Sequence, residues 1–240
     1  MNDLKTVLTQ IAPSGELRVA LNYGNPVLVQ RGADGIPQGV APDLARELAR
    51  RLGVVPRFIS YEAAAKVAEV ATDHAWDLAF MAIDPKREAH IDFTAAYVQI
   101  EGTYLVRDSS PWHKVAELDR EGVRIAVAKG AAYELYLART IQQAELVAFS
   151  TSNAAIHGFV SQHLEAAAGV RQTLMQFAAE NADYRVLEDH YTAIYQALAL
   201  PKGRRQALDY VRAFVEEMKH SGFVAEALRR SGQHGANVAL

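Results

Sequence analysis

The chain has 240 residues, half of them hydrophobic and 22% charged, with a formal net charge of −3 and no cysteine. Such a length and composition supply a packed core for one large domain or for two lobes of roughly 100–150 residues each. The near-neutral charge argues against nucleic acid as the main partner, the lack of cysteine excludes disulfide and thiol chemistry, and no apolar run reaches the roughly 18 residues of a membrane span.

Met1–Pro13 is interrupted by Asp3, Lys5 and Gln10 and has no long apolar stretch of the secretory-signal type. Leu4, Val7, Leu8 and Ile11 fall on one face and predict a short amphipathic helix. Leu17–Leu21 is an apolar run that ends in Asn22-Tyr23-Gly24-Asn25-Pro26, a buried strand running into a loop. Gly32–Gly39, with Asp34-Gly35 inside it, reads as a turn. Over Asp43–Leu52 the residues Leu44, Leu48 and Leu52 share a helical face, and Gly53 supplies the stop. Val54–Ile59 is the next strand, Ala63–Ala71 a second helix and Asp77–Ala82 a third strand. Strand alternating with helix predicts a mostly parallel sheet with helices packed on it. In such sheets ligands sit at the carboxyl ends of the strands, where Tyr23, Tyr61, Met81 and Ala82 fall.

A polar break at Arg107-Asp108-Ser109-Ser110-Pro111 precedes a second α/β pattern. It runs through a strand at Val123–Ala128, the loop Lys129-Gly130, and a helix from about Ala131 to Thr140. A strand at Leu146–Phe149, a helix at Asn153–Gln162 and a strand at Leu164–Ala168 follow. Ala193–Leu200 is apolar and ends at Pro201-Lys202-Gly203. Helical patterns at Arg205–His220 and Val224–Arg230 close the chain, and the tail Ser231–Leu240 is expected to be loose. The chain has no G-x-S-x-G elbow, no phosphate-binding loop and no G-x-G-x-x-G. His157 and His163, six apart, fall on different faces of a helix, so neither a metal nor another cofactor is expected.

Several stretches together carry a resemblance. They are Gly15-Glu16-Leu17-Arg18-Val19-Ala20, Gly39-Val40-Ala41-Pro42-Asp43-Leu44-Ala45, Trp76-Asp77-Leu78-Ala79, Pro85-Lys86-Arg87, Asp92-Phe93-Thr94, Ala96-Tyr97 and Gly122-Val123-Arg124-Ile125-Ala126-Val127. In this order and spacing, from Gly15 to about Leu228, the chain resembles the polar-amino-acid class of bacterial extracellular solute-binding proteins, the binding components of ABC importers. The resemblance implies an α/β fold of the periplasmic-binding-protein type, with two lobes joined by two crossings near Leu105–Arg107 and His190–Ala193. Residues 1–106 with 191–240 would form one lobe and 107–190 the other, closing on a ligand by a hinge. It also implies a monomer, an ABC permease as candidate partner and a periplasmic location. The amino-terminal stretch, lacking a signal-like pattern, leaves a cytoplasmic location as the alternative.

By that resemblance Arg87, on the loop Ile83-Asp84-Pro85-Lys86 after the third strand, clamps a ligand carboxylate through its guanidinium fork. The plainer reading is a surface arginine paired with Asp84 or Glu88. Tyr23 stands where the family packs an aromatic ring on the ligand, and Tyr61 is a similar candidate. Lys129 and Ala131, in a strand–loop–helix junction with free amides expected at the helix start, are the candidate anion site of the second lobe. Arg171, just past Ala166-Ala167-Ala168-Gly169-Val170, is a weaker candidate for a second cation.

The chain also departs from the family pattern. Met81-Ala82 stands where a hydroxyl residue is usual, and Asp77–Arg87 is two residues shorter than usual. The second-lobe loop offers Ala131-Ala132 rather than Ser or Thr. Gly169 or Val170 stands where a carboxylate would hold the ligand's α-amino group. An ammonium buried without a partner costs several kcal/mol. The expected ligand is therefore a small carboxylate lacking the amine, bound reversibly. Two other readings stay open: a dehydratase similar to the cyclohexadienyl dehydratases, with Glu165 or Glu101 as general acid, and a stand-alone ligand sensor.

Overall fold

The computed structural model describes residues 4–233 and 235–240. It begins with α1 (Leu4–Ile11), β1 (Glu16–Asn22), β2 (Gln30–Arg31), β3 (Pro37–Gln38), α2 (Val40–Leu52), β4 (Val55–Tyr61), α3 (Ala64–Glu69) and β5 (Leu78–Ala82). Then come β6 (Ile91–Arg107), β7 (Arg124–Ala128), α4 (Ala132–Thr140), β8 (Glu145–Phe149), α5 (Ser152–Ser161), β9 (Ala166–Val170), α6 (Arg171–Glu180) and β10 (Tyr184–Val186). The chain closes with β11 (Thr192–Pro201), α7 (Arg205–His220), α8 (Phe223–Arg230) and β12 (Asn237–Val238). It divides into two compact units, Met1–Gln99 with Tyr195–Leu240, and Ile100–Ile194.

In the first unit β1 lies between β4 and β5, parallel to both, and β11 adds to β5 antiparallel. The register sets Asn22 opposite Tyr61, so the carboxyl ends of β1 and β4 finish side by side. Helix α2 forms for the reasons its sequence supplies. Leu44, Leu48 and Leu52 are buried, each contributing about 2 kcal/mol by leaving water. Gly53 ends the helix at φ 69°. The chain enters the helix through Gly39, at φ 113°, where a Cβ would stand 2.6 Å from the Leu28 carbonyl oxygen. Trp76, fully buried, donates its indole N–H to the Val67 carbonyl at 3.0 Å and anchors a cluster with Ala71, Met81, Ile91 and Phe93.

On the helical side Glu47 of α2 accepts from Arg50 Nε at 2.8 Å and from Arg51 Nε at 2.8 Å, while Arg51 also holds Glu217 of α7. Hydrogen bonds from Arg50, and then from Arg51, pull the Glu47 carboxyl down from 4.5 to about 2. The unfolded chain therefore takes up this proton first as the pH falls. The contribution is complete above about pH 4.5 and is lost as the pH drops towards 2. Solvent screening at this partly exposed site limits it to about 1 kcal/mol. Glu47→Gln should lower the urea midpoint at pH 7 and flatten the slope of stability between pH 4.5 and 2; an unchanged slope would remove Glu47 as its source.

In the second unit β7 lies between β8 and β9, parallel to both, and β9 pairs antiparallel with the last part of β6. β10 pairs with β6 at Leu105–Arg107. Phe159, Ala155 and Ile156 of α5 pack with Leu105, Ala126, Ala167 and Leu174. Gly158 is required here because a Cβ would stand 2.1 Å from the Phe149 ring.

One expectation is corrected, and further elements come into view. The tail is not loose: β12 pairs with Val98 and Gln99 of β6, the Ala239 amide donates to Tyr97 O at 3.1 Å, and Ala239 is buried. His234, also in that stretch, lies outside the described residues. The stretch after Ala82 holds a 17-residue strand, β6, and a helix, α6, follows Val170. The amphipathic face of α1 buries Val7 and Ile11 but leaves Leu4 45% exposed; Met1–Asp3 lie outside the described residues.

Candidate functional site

The first unit gathers its candidates where β1, β4 and β5 end. Tyr23 and Tyr61 are both partly buried and are joined through the backbone, the Tyr23 amide donating to Tyr61 O at 2.8 Å. Burial pushes the Tyr61 phenol up, so it stays neutral and able to donate. Arg31, which nothing local in the sequence marks, places its guanidinium 4.1 Å from the centre of the Tyr23 ring and pairs with Glu62. The Asn22 carboxamide oxygen accepts from the Gly24 amide at 3.0 Å and shapes the loop. Gly24 is needed there, since a Cβ would stand 2.7 Å from Glu62 O.

Arg87 sits in the turn that follows β5 and is only 5% exposed. Its Nη1 donates to Ala82 O at 2.8 Å. The turn is closed by Asp84 O, which accepts from the amides of Arg87 and Glu88 at 2.9 and 3.1 Å. The Asp84 side chain, itself buried, accepts from the Lys86 amide at 2.9 Å. Burial lowers the Arg87 pKa to about 10, outweighing the opposite pull of Asp84. A cation is thus kept in a desolvated position beside the ends of parallel strands, where a charge-assisted bond to an anion is strongest. Met81, by contrast, is buried in the cluster around Trp76, its side chain packed with core residues.

In the second unit Lys129 is exposed at the end of β7 and its amide is engaged by Phe149 O at 2.9 Å. The amides expected to be free at the start of α4 are in part taken. Glu134 Oε2 accepts from Gly130 N at 2.9 Å, and Ala128 O accepts from Ala131 N at 3.1 Å. Arg171, at the start of α6, has its guanidinium committed to the protein. Nε donates to Glu101 Oε2 at 2.6 Å, Nη1 to Leu187 O at 2.9 Å, and Nη2 to Glu188 O and Asp189 O at 2.9 and 3.0 Å. It pins the 187–189 segment, which no local pattern could foretell. So the first unit brings Tyr23, Tyr61 and Arg87 to one sheet edge, while Met81 and Arg171 serve packing and loop anchoring.

The two carboxylates considered as general acids are also engaged. Burial pushes the Glu165 carboxyl up, but hydrogen bonds from the Arg124 side chain and amide outweigh it and leave the pKa below the ordinary range. That is the wrong direction for a general acid near neutrality. Glu101 lies between Arg171 and His190 Nδ1, the latter at 3.4 Å. Among the described residues no group of three or more His, Cys, Asp or Glu could hold a metal ion, and no helix is long and apolar enough to cross a membrane.

Residues 17–233 match the family model of bacterial extracellular solute-binding proteins, family 3. No curated protein matches the chain. Among solved structures the chain is similar to a mutant of ArgBP from T. maritima, with 20% identity and a TM-score of 0.80 over 95% of this chain and 100% of that one. A solute receptor for L-cysteine of Neisseria gonorrhoeae is 22% identical, with a TM-score of 0.81 over 94% and 92%. An ancestral amino acid-binding protein, described as a precursor of cyclohexadienyl dehydratase, is 23% identical, with a TM-score of 0.78 over 93% and 98%. At these identities the likenesses establish the periplasmic-binding-protein fold.

Proposed function

We propose that this chain, which belongs to the bacterial extracellular solute-binding proteins of family 3, reversibly binds a small carboxylate-bearing solute as the substrate-binding component of an ABC importer. The observation that carries the reading is Arg87, a buried guanidinium at the carboxyl ends of the parallel strands of the first unit. Its planar fork matches a carboxylate with two parallel hydrogen bonds. Tyr23, its ring stiffened by Arg31, supplies the apolar wall. The Lys129–Ala131 loop is the second unit's contribution, and uptake of the solute between the units is part of this proposal. So are an ABC permease as partner, a monomeric state and a periplasmic location.

Similar solved structures hold amino-acid ligands, one complexed with lysine and another bound to L-arginine. This chain lacks a carboxylate at Gly169 and Val170, so the ligand inferred here has no α-ammonium. A thermal-shift screen tests the point. Plain carboxylates at a hundredfold excess over Kd should raise Tm by about 5 °C or more. If ordinary α-amino acids raise Tm and plain carboxylates do nothing, the carboxylate reading is wrong.

A further inference from the structure

In the first unit Tyr23, Arg31 and Glu62 meet from three separate stretches of chain. The Arg31 guanidinium stands 4.1 Å from the centre of the Tyr23 ring and pairs through Nη2 with Glu62 Oε1. Backbone contacts position each member. The Tyr23 amide donates to Tyr61 O at 2.8 Å, which sets Tyr23 beside the residue that precedes Glu62. Gly24, which follows Tyr23, lies so close to Glu62 O that a Cβ would stand 2.7 Å from it. Arg31 sits on β2 opposite Pro37 of β3, and its neighbour Gln30 donates from Nε2 to Pro26 O at 2.9 Å and to Ser231 O at 3.2 Å.

An aromatic ring with a carboxylate beside it is an arrangement that binds a guanidinium. The ring face attracts the cation, and the carboxylate accepts from its N–H groups. Here the occupant is a residue of the chain itself. The cluster contributes little to holding the fold together: the Arg31 and Glu62 side chains are 59% and 66% exposed, and an ion pair in water adds little stability. Its consequence lies in what the ring can receive. While Arg31 is in place, a second cation meets a like charge at the ring and a carboxylate already neutralised. An apolar group meets neither obstacle.

We propose that Arg31 is a specificity-determining residue of the first unit, whose guanidinium fills the cation slot formed by Tyr23 and Glu62 and so turns away ligands that bring a guanidinium or ammonium group to that wall. The inference rests on the reading above, in which Tyr23 walls the apolar part of a carboxylate ligand, and adds which groups the wall refuses. Taking Arg31 away should turn an excluding wall into a receiving one.

The test is calorimetric titration of 4-guanidinobutanoate and its apolar isostere 6-methylheptanoate, with pentanoate as a shorter control. The unaltered chain should bind 4-guanidinobutanoate about tenfold more weakly than 6-methylheptanoate. Arg31→Met should tighten 4-guanidinobutanoate about tenfold while leaving pentanoate within about twofold. Arg31→Lys, which keeps the positive charge, should retain the original preference. Arg31→Met combined with Glu62→Gln should lose most of the gain, because the slot then lacks its carboxylate. Each variant should keep Tm within about 2 °C, since both side chains are exposed. If pentanoate binds and the unaltered chain does not discriminate between the isosteres, or Arg31→Met leaves 4-guanidinobutanoate as weak as before, or the double variant keeps the whole gain, this inference is overturned and the carboxylate reading stands. If none of the three probes binds, both fall.

Discussion

Arg87→Met is expected to weaken carboxylate binding by at least a hundredfold while shifting Tm by no more than about 3 °C. The affinity loss follows from removing one partner of a desolvated, charge-assisted pair, which costs about 2–5 kcal/mol. Stability should respond much less. Burial already lowers this guanidinium's pKa to about 10, so the folded protein holds the charge at a cost. Relief of that cost offsets part of what is lost with the bond to Ala82 O and the attraction of buried Asp84, whose side chain keeps the Lys86 amide. Arg87→Lys keeps a point charge without the fork and should fall between the two. Titration of pentanoate into each variant decides it, and unchanged affinity in Arg87→Met would remove the central residue from the proposed site.

The largest effect on stability is expected at Asp77, which has no exposed surface. Its carboxylate accepts from Arg18 Nε and Nη2 at 2.8 and 2.9 Å and from Arg204 Nη1 at 2.9 Å. Its amide donates to Arg18 O at 2.8 Å. One side chain thus ties β1, the start of β5 and the segment leading into α7. Asp77→Ala would leave two guanidiniums facing each other in a largely desolvated place, at a cost of about 3–5 kcal/mol. The triple replacement Asp77→Leu, Arg18→Met and Arg204→Met should recover much of that loss, since apolar groups of similar volume need no partner. Urea unfolding of the single and triple variants measures both. A single variant within about 1 kcal/mol of the parent would show that the triad does not hold these segments together.

Much of the architecture was legible along the chain, because helices and strands bury one face and write that periodicity into neighbouring residues. Leu44, Leu48 and Leu52 with Gly53 predicted α2 and its end, and Arg205–His220 is observed as α7 over the predicted residues. β6 escaped notice because it is 17 residues long, runs from one unit into the other and alternates burial irregularly. α6 escaped because a single buried residue, Leu174, holds it down. The pairing of β12 with β6 joins residues more than a hundred positions apart, which no local window contains.

The residues of the candidate site divide in the same way. Tyr23 could be named from its place after an apolar strand, since topology assigns the carboxyl ends of parallel strands whatever the partners turn out to be, whereas Arg87 was singled out by the family resemblance of its motif. Whether a charged side chain remains available or is engaged depends on groups brought near it by folding. Arg171 is engaged by Glu101 and three carbonyls, and Arg31 stacks on Tyr23 from across the loop. Hydrogen bonds and desolvation act over a few ångströms in space, so the order of residues set the faces, and only tertiary contacts set the partners.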